Sequence, residues 1–173
     1  MVEKSKQKQL IIMCGAAGSG KSTWVEKHSM LFPGLVKVVS RDQIRFSMLK
    51  DNEDYFTHEN EVYNKFIEEI KDGLENCDTT IADATHSNIA SRTKLLRKLG
   101  TSLKDIKVIT VVIKTPLQTC LNQNEMREGR SLVPESQVRR MYYQFTIPTL
   151  DEGFDEIWVY ENNKYKIETK EVG

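Results

Sequence analysis

The chain has no net charge: 25 lysine and arginine residues balance 25 aspartate and glutamate residues. Wrapping duplex nucleic acid non-specifically takes many cation–phosphate contacts, so neutrality argues against that function class, although it does not exclude a local basic groove. Cysteine is scarce. Cys14, Cys77 and Cys120 are odd in number and far apart, which excludes a disulfide framework or a cysteine metal site and fits a reducing compartment. Cys14 reads as a small buried apolar residue. No apolar run is long enough for a membrane helix or a signal peptide, and the residues before Leu10 are polar and lysine-rich. A cytoplasmic protein with no membrane partner is expected. Repeats and low-complexity linkers are missing too, and 173 residues suffice for one core, so residues 1–173 are expected to form a single domain.

Short runs rich in β-branched residues fall at 10–14, 36–40, 79–83, 107–113 and 156–160. Between them, 22–30, 41–49, 59–74, 89–99 and 116–127 carry helical patterns. Val62, Phe66, Ile70 and Leu74 mark one apolar face, with Lys and Glu opposite. Ser87 or Asn88 is placed to cap the helix over 89–99, and Gly100 to stop it. A further helix is expected from Pro134. Strands alternating with helices predict an α/β fold: a mostly parallel five-stranded sheet flanked by helices on both faces. Ligands bind such sheets at the carboxyl ends of the strands.

The first strand runs into Gly15-Ala16-Ala17-Gly18-Ser19-Gly20-Lys21-Ser22, followed by Thr23. This is the complete phosphate-loop pattern, in the strand–loop–helix context it requires. Backbone N–H groups and a helix N-terminus converge there on one point, and glycine lets phosphate oxygens reach bare backbone. Lys21 would reach the β- and γ-phosphates, and the Ser22 hydroxyl would hold Mg²⁺. The chain is expected to bind a nucleoside triphosphate.

Other strand ends also carry chemistry. After the second strand comes Ser40-Arg41-Asp42-Gln43-Ile44-Arg45. Asp42 and Arg45 would share one face of a first helical turn beside the phosphate loop. They suit either a base and a cation for phosphoryl transfer or an ordinary i,i+3 ion pair. Asp83 ends the third strand, placed either to orient Mg²⁺-bound water, to bond the loop hydroxyl, or simply to cap a turn. His86 follows it as a loop residue near substrate, while His28 and His58 have no convergent partners and read as surface residues. The segment over 126–134 breaks the helical pattern and bears Arg127 and Arg130, which favours a lid closing over nucleotide above a solvated turn. Arg139 and Arg140 suit either structure or substrate. Arg92, Lys94, Arg97 and Lys98 read as a solvated basic face.

Together GAAGSGKST, SRDQIR, the DAT of IADATHSN and REGRSLVP, in this order, resemble the polynucleotide 5′-hydroxyl kinase branch of the P-loop phosphotransferases. The similarity spans residues 15–141. It implies a P-loop kinase fold, ATP as donor, Mg²⁺ as cofactor, and a single-stranded or terminal 5′-hydroxyl nucleic acid as acceptor. By position it makes Asp42 the general base, Arg45 the contact to substrate phosphate or the transferred group, and Lys21, Ser22, Arg127 and Arg130 the nucleotide and transition-state contacts. This chain departs from some members at Gln123 and Asn124, where they carry arginine, and at His86, where they often carry asparagine. Kinases of nucleosides, sugars and antibiotics share the frame, so a small-molecule hydroxyl is the second expectation. A nucleotide switch or ATPase is the third, with the acidic, aromatic stretch 51–61 either its output surface or a solvated connection.

Overall fold

The computed structural model describes residues 6–173, apart from the side chain of Arg130. Its sheet has six strands in the order β2-β3-β1-β4-β5-β6. Strands β1 (Gln9–Cys14), β2 (Val36–Ser40), β3 (Thr79–Asp83), β4 (Lys107–Ile113) and β5 (Glu156–Glu161) run parallel. β6 (Lys164–Thr169) returns antiparallel to β5 and adds a strand to the expected five. It escapes an apolar-run reading because Lys-Tyr-Lys-Ile-Glu-Thr is exposed throughout. Its signal lay in the alternation and in the Asn162-Asn163 turn, where both residues take a positive φ, of 50° and 59°.

The middle strand β1 is sealed on both faces. Leu10, Ile12 and Cys14 pack with Phe66, Ile70, Leu95 and Phe154, whereas Ile11 and Met13 face Trp24, Val25 and Val111. Such two-sided burial is what a parallel sheet under helices requires. The helices are α1 (Lys21–His28), α2 (Arg41–Met48), α3 (Glu59–Asn76), α4 (Ile89–Leu99), α5 (Leu117–Glu125) and α6 (Glu135–Tyr143).

Caps decide where several of them begin and end. Ser40 accepts a hydrogen bond from the Gln43 amide and starts α2. Asn88, rather than Ser87, forms a capping box with Ser91, and Gly100 ends α4 at φ 48°. Pro116 and Pro134 sit just before α5 and α6. α1 stops at His28, where a 3₁₀ turn takes over, and α5 stops before the lid, two residues short of the expected 127.

Parallel pairing sets the site. Ser40 of β2 lies opposite Asp83 of β3, and β3 adjoins β1, whose end feeds the phosphate loop. Residues following all three strands therefore meet at one edge.

Candidate active site

The loop between β1 and α1 is shaped by its glycines. Gly20 caps α1 in a left-handed conformation (φ 98°). Gly18 has φ 76°, and a Cβ there would come within 2.2 Å of the Cys120 carbonyl oxygen, so only glycine fits. The Lys21 ammonium donates to the carbonyls of Gly15 at 2.9 Å and Ala16 at 2.8 Å. Desolvation pulls its pKa down, against the attraction of Asp83. Ala16 and Ala17 are buried, and Ser19 is buried with its hydroxyl unpartnered. That orphaned donor and a lysine parked on loop carbonyls fit an anion that completes the cradle.

The two residues expected on the metal side meet one another. The Ser22 hydroxyl donates to Asp83 Oδ2 at 2.9 Å, so Asp83 meets the loop hydroxyl as one of its expected roles requires. Burial raises the Asp83 pKa, while Lys21 and Ser22 oppose the rise. One hydroxyl and one carboxylate fit Mg²⁺, which takes few protein ligands and completes its shell with phosphate oxygens and water.

Asp42 and Arg45 do form the i,i+3 ion pair, at 2.5 Å, and the carboxylate also lines the cavity beside the loop. Asp42 Oδ1 accepts from both Arg45 and the Tyr55 hydroxyl, the latter at 2.6 Å. Its Oδ2 has no protein partner among the described residues. Arg45 is only 4% exposed; it also meets Glu59 at 2.8 Å and lies 4.1 Å from the centre of the Tyr55 ring. Glu59 in turn pairs with Arg41. Burial and the Asp42 charge raise the Tyr55 pKa, which keeps that hydroxyl protonated. The stretch over 51–61 thus folds back onto Arg45. Neither Tyr55 nor Glu59 was legible as a site residue, because they reach Asp42 and Arg45, respectively, from beyond a loop.

Three residues, Lys21, Ser22 and Arg127, border two clefts at once. The larger, about 750 Å³, runs from the phosphate loop past Thr119 and Gln123 to Tyr160 and the β5–β6 turn. The smaller, about 280 Å³, holds Asp42, Asp83, Phe56 and Arg140. Arg127 makes no hydrogen bond or ion pair through its side chain among the described residues. The base of the expected lid is anchored, since the Asn124 amide bonds both the N–H and the carbonyl of Val133, at 3.1 and 2.7 Å. Arg130 lies in the 3₁₀ turn Gly129–Ser131, and its side chain falls outside what is described. Arg139 pairs with Glu135, whereas Arg140 is exposed.

Several expectations change. His86 lines the smaller cleft but is buried, with φ 41° and its ring N–H on the Met13 carbonyl at 2.8 Å. Burial lowers its pKa to about 4, so the ring is a neutral strut between β1 and the loop after β3. Arg92 is not part of a solvated face. It is fully buried, joined to Glu152 at 2.7 Å and to the carbonyls of His86 and Thr146. A tertiary partner 60 positions away makes this possible. His28 stacks on Trp24 at 4.3 Å and meets Tyr165, and His58 meets Glu53 at 2.8 Å, so neither histidine is without partners. No described helix is long and apolar enough to cross a membrane.

The AAA domain family matches residues 10–148. The chain belongs to that family. Within it, the AAA domain described here shares its fold with kinases of known structure. A chain of the Pnkp1/Rnl/Hen1 RNA repair complex superposes with a TM-score of 0.69 at 20% identity, covering 83% of this protein. This AAA domain spans about half of that chain, 45% of its length. A candidate kinase from Chloroflexus aurantiacus gives 0.71 at 13% identity, with 92% and 87% of the two chains covered. A sugar kinase from Janibacter sp. HTCC2649 gives 0.60 at 15%, with 88% and 85% covered. At these identities the likeness concerns the fold: an α/β P-loop kinase fold with a mostly parallel sheet.

Proposed function

We propose that the protein is an ATP-dependent kinase that moves the γ-phosphoryl group to the 5′-hydroxyl of a polynucleotide, with residues 1–173 acting as one catalytic unit. The observation that carries this reading is the meeting of two clefts at Lys21, Ser22 and Arg127 with a carboxylate, Asp42, on the far side. The larger cleft takes the nucleotide, whose phosphates lie over residues 15–23. Lys21 leaves the loop carbonyls for the β- and γ-oxygens. Ser22 and Asp83 would hold magnesium, which would supply positive charge to the phosphate oxygens.

In the smaller cleft Asp42 Oδ2 takes the proton of the acceptor hydroxyl as its oxygen bonds to the γ-phosphorus and the bond to the β-phosphate oxygen breaks. Arg45 holds the other carboxylate oxygen, so its charge reaches the transferred group through the base it orients. Arg127 stands where charge spreads in the transition state, and Arg130 joins it when the lid closes.

The test is transfer of labelled γ-phosphate from ATP to a short 5′-hydroxyl oligonucleotide with Mg²⁺, using Asp42→Ala as control. Transfer by the parent and a loss of at least about 100-fold in the variant, with ATP still bound, supports the assignment. Equal loss of ATP binding and transfer counts against it.

The size of the smaller cleft favours one alternative, a kinase of a small-molecule hydroxyl, because 280 Å³ holds little more than one sugar-sized group. Salt separates the two. The KM for a polynucleotide rises steeply with ionic strength, whereas that for a neutral acceptor does not.

A further inference from the structure

β6 ends the sheet on one side and is bonded to β5 alone among the described residues. The turn joining them has two residues, so its flanking residues, Glu161 and Lys164, are a hydrogen-bonded pair of the ladder. Lys164, Lys166 and Glu168 therefore direct their backbone groups at β5, while Tyr165, Ile167 and Thr169 turn theirs outward to solvent. Side chains alternate as well. Tyr165 and Ile167, 42% and 56% exposed, lie opposite Tyr160 and Trp158 on one face, and Lys166 and Glu168 stand on the other. Lys166 and Glu168 are exposed and form no ion pair among the described residues. The strand is nonetheless held in place, since the Tyr165 hydroxyl meets Trp24 Nε1 at 2.7 Å and His28 Nε2 at 3.1 Å, both on α1.

A lysine on an edge strand ordinarily repels an incoming strand. In β6 a glutamate follows Lys166 two positions later on the same face, and an antiparallel copy of the same strand matches that order. With Ile167 on a two-fold axis, the outward backbone groups pair Tyr165 with Thr169 of the second copy and Ile167 with its own counterpart. The same register sets Lys166 opposite Glu168 of the second copy, and Glu168 opposite its Lys166, in the closer, non-hydrogen-bonded pairs. Apolar and ionic matches thus fall in one register. Moving the axis to residue 166 or 168 instead sets like charges opposite each other. Lys164 nears Lys170 of the second copy, but both lie exposed at the ends of the ladder. We infer that β6 is a self-recognition edge, through which two copies of this chain pair antiparallel and join their six-stranded sheets into one.

Sedimentation equilibrium of the full chain over a concentration series is the test. The parent is expected to be a dimer in reversible equilibrium with monomer. Glu168→Lys replaces two attractive cross-strand pairs per dimer with repulsive ones, so the dissociation constant should rise about tenfold. Combining Lys166→Glu with Glu168→Lys re-creates both pairs and should return the constant to within about threefold of the parent. Ile167→Pro removes an outward N–H that bonds nothing in the monomer, so it should leave the fold intact and abolish pairing. Glu168→Lys alters only an exposed side chain, which keeps the test decisive should the proline variant fail to fold. A parent that stays monomeric at the highest concentration measured overturns the inference. So does a dimer that Glu168→Lys leaves as tight, or a charge swap that does not restore pairing.

Discussion

Tyr55 donates its hydroxyl proton to Asp42 Oδ1 at 2.6 Å, the oxygen that also receives Arg45, so the candidate base is pinned on one side and open on the other. Asp42 lies on the first turn of α2 and Tyr55 in the connection to α3. The loop segment thus sets the geometry of a group on a regular element.

That contact predicts the behaviour of Tyr55→Phe. A hydrogen bond to a charged group contributes about 1.5–3 kcal/mol, part of which Arg45 retains, so kcat should fall by roughly tenfold. The ATP dissociation constant should not move. An unchanged kcat would show that Tyr55 does not bear on the base.

Asp83 gives a metal-linked prediction. Its folded pKa is raised above the ordinary 3.8, chiefly by burial. The stability it contributes is therefore complete below pH 3.8 and is lost as pH rises through the higher folded value. At neutral pH the buried carboxylate opposes folding until a cation meets it. Asp83→Asn should accordingly melt no lower than the parent without magnesium, yet lose on the order of tenfold or more in Mg²⁺ affinity. Thermal melts with and without Mg²⁺ test this, the parent alone gaining stability from the ion.

The sign is opposite for His86. Burial lowers its pKa from 6.5 to about 4, so its contribution is present above pH 6.5 and lost as pH falls toward 4. The shift corresponds to roughly 3 kcal/mol. Asn suits the left-handed backbone at φ 41° and carries no titratable ring. Urea titrations between pH 7 and 4 should show a flatter stability profile for His86→Asn than for the parent.

Gly18→Ala and Gly20→Ala separate conformation from contact. Both positions have positive φ, but only at Gly18 does a Cβ meet backbone, at the Cys120 carbonyl; at Gly20 nothing lies within 4 Å. Strain alone costs about 1–3 kcal/mol, so Gly20→Ala should fold with weakened ATP binding. Gly18→Ala should lose more stability than that, because α5 must move, and calorimetry of the two variants gives the comparison.

Arg92→Ala removes one partner of a buried ion pair and leaves Glu152, 8% exposed, without its charge partner. Such a loss costs about 3–5 kcal/mol. Chemical denaturation should register it, and the loop bearing His86, whose carbonyl Arg92 holds, should lose hydrogen-exchange protection first.

Local chemistry was enough for much of this protein. The strand–glycine loop–helix pattern over 10–30 needs no distant partner to be recognised, because backbone conformation and helix dipole are properties of neighbouring residues. Apolar periodicity likewise placed five strands and the face of α3, since burial on two sheet faces and on one helical stripe leaves a mark in residue order. Asp42 and Arg45 were visible as neighbours one helical turn apart. Which of their atoms are committed was not, because Tyr55 and Glu59 reach them across a loop. The same holds for Arg92, whose basic neighbours suggested a wet surface until Glu152 and Thr146, more than 50 positions away, neutralised and buried it. β6 was missed because an exposed edge strand has no apolar run to betray it. Residue order carries what neighbours along the chain dictate. Long-range pairing of charges and the sharing of Lys21, Ser22 and Arg127 between two clefts arise only when strand ends distant in sequence are drawn to one edge of the sheet.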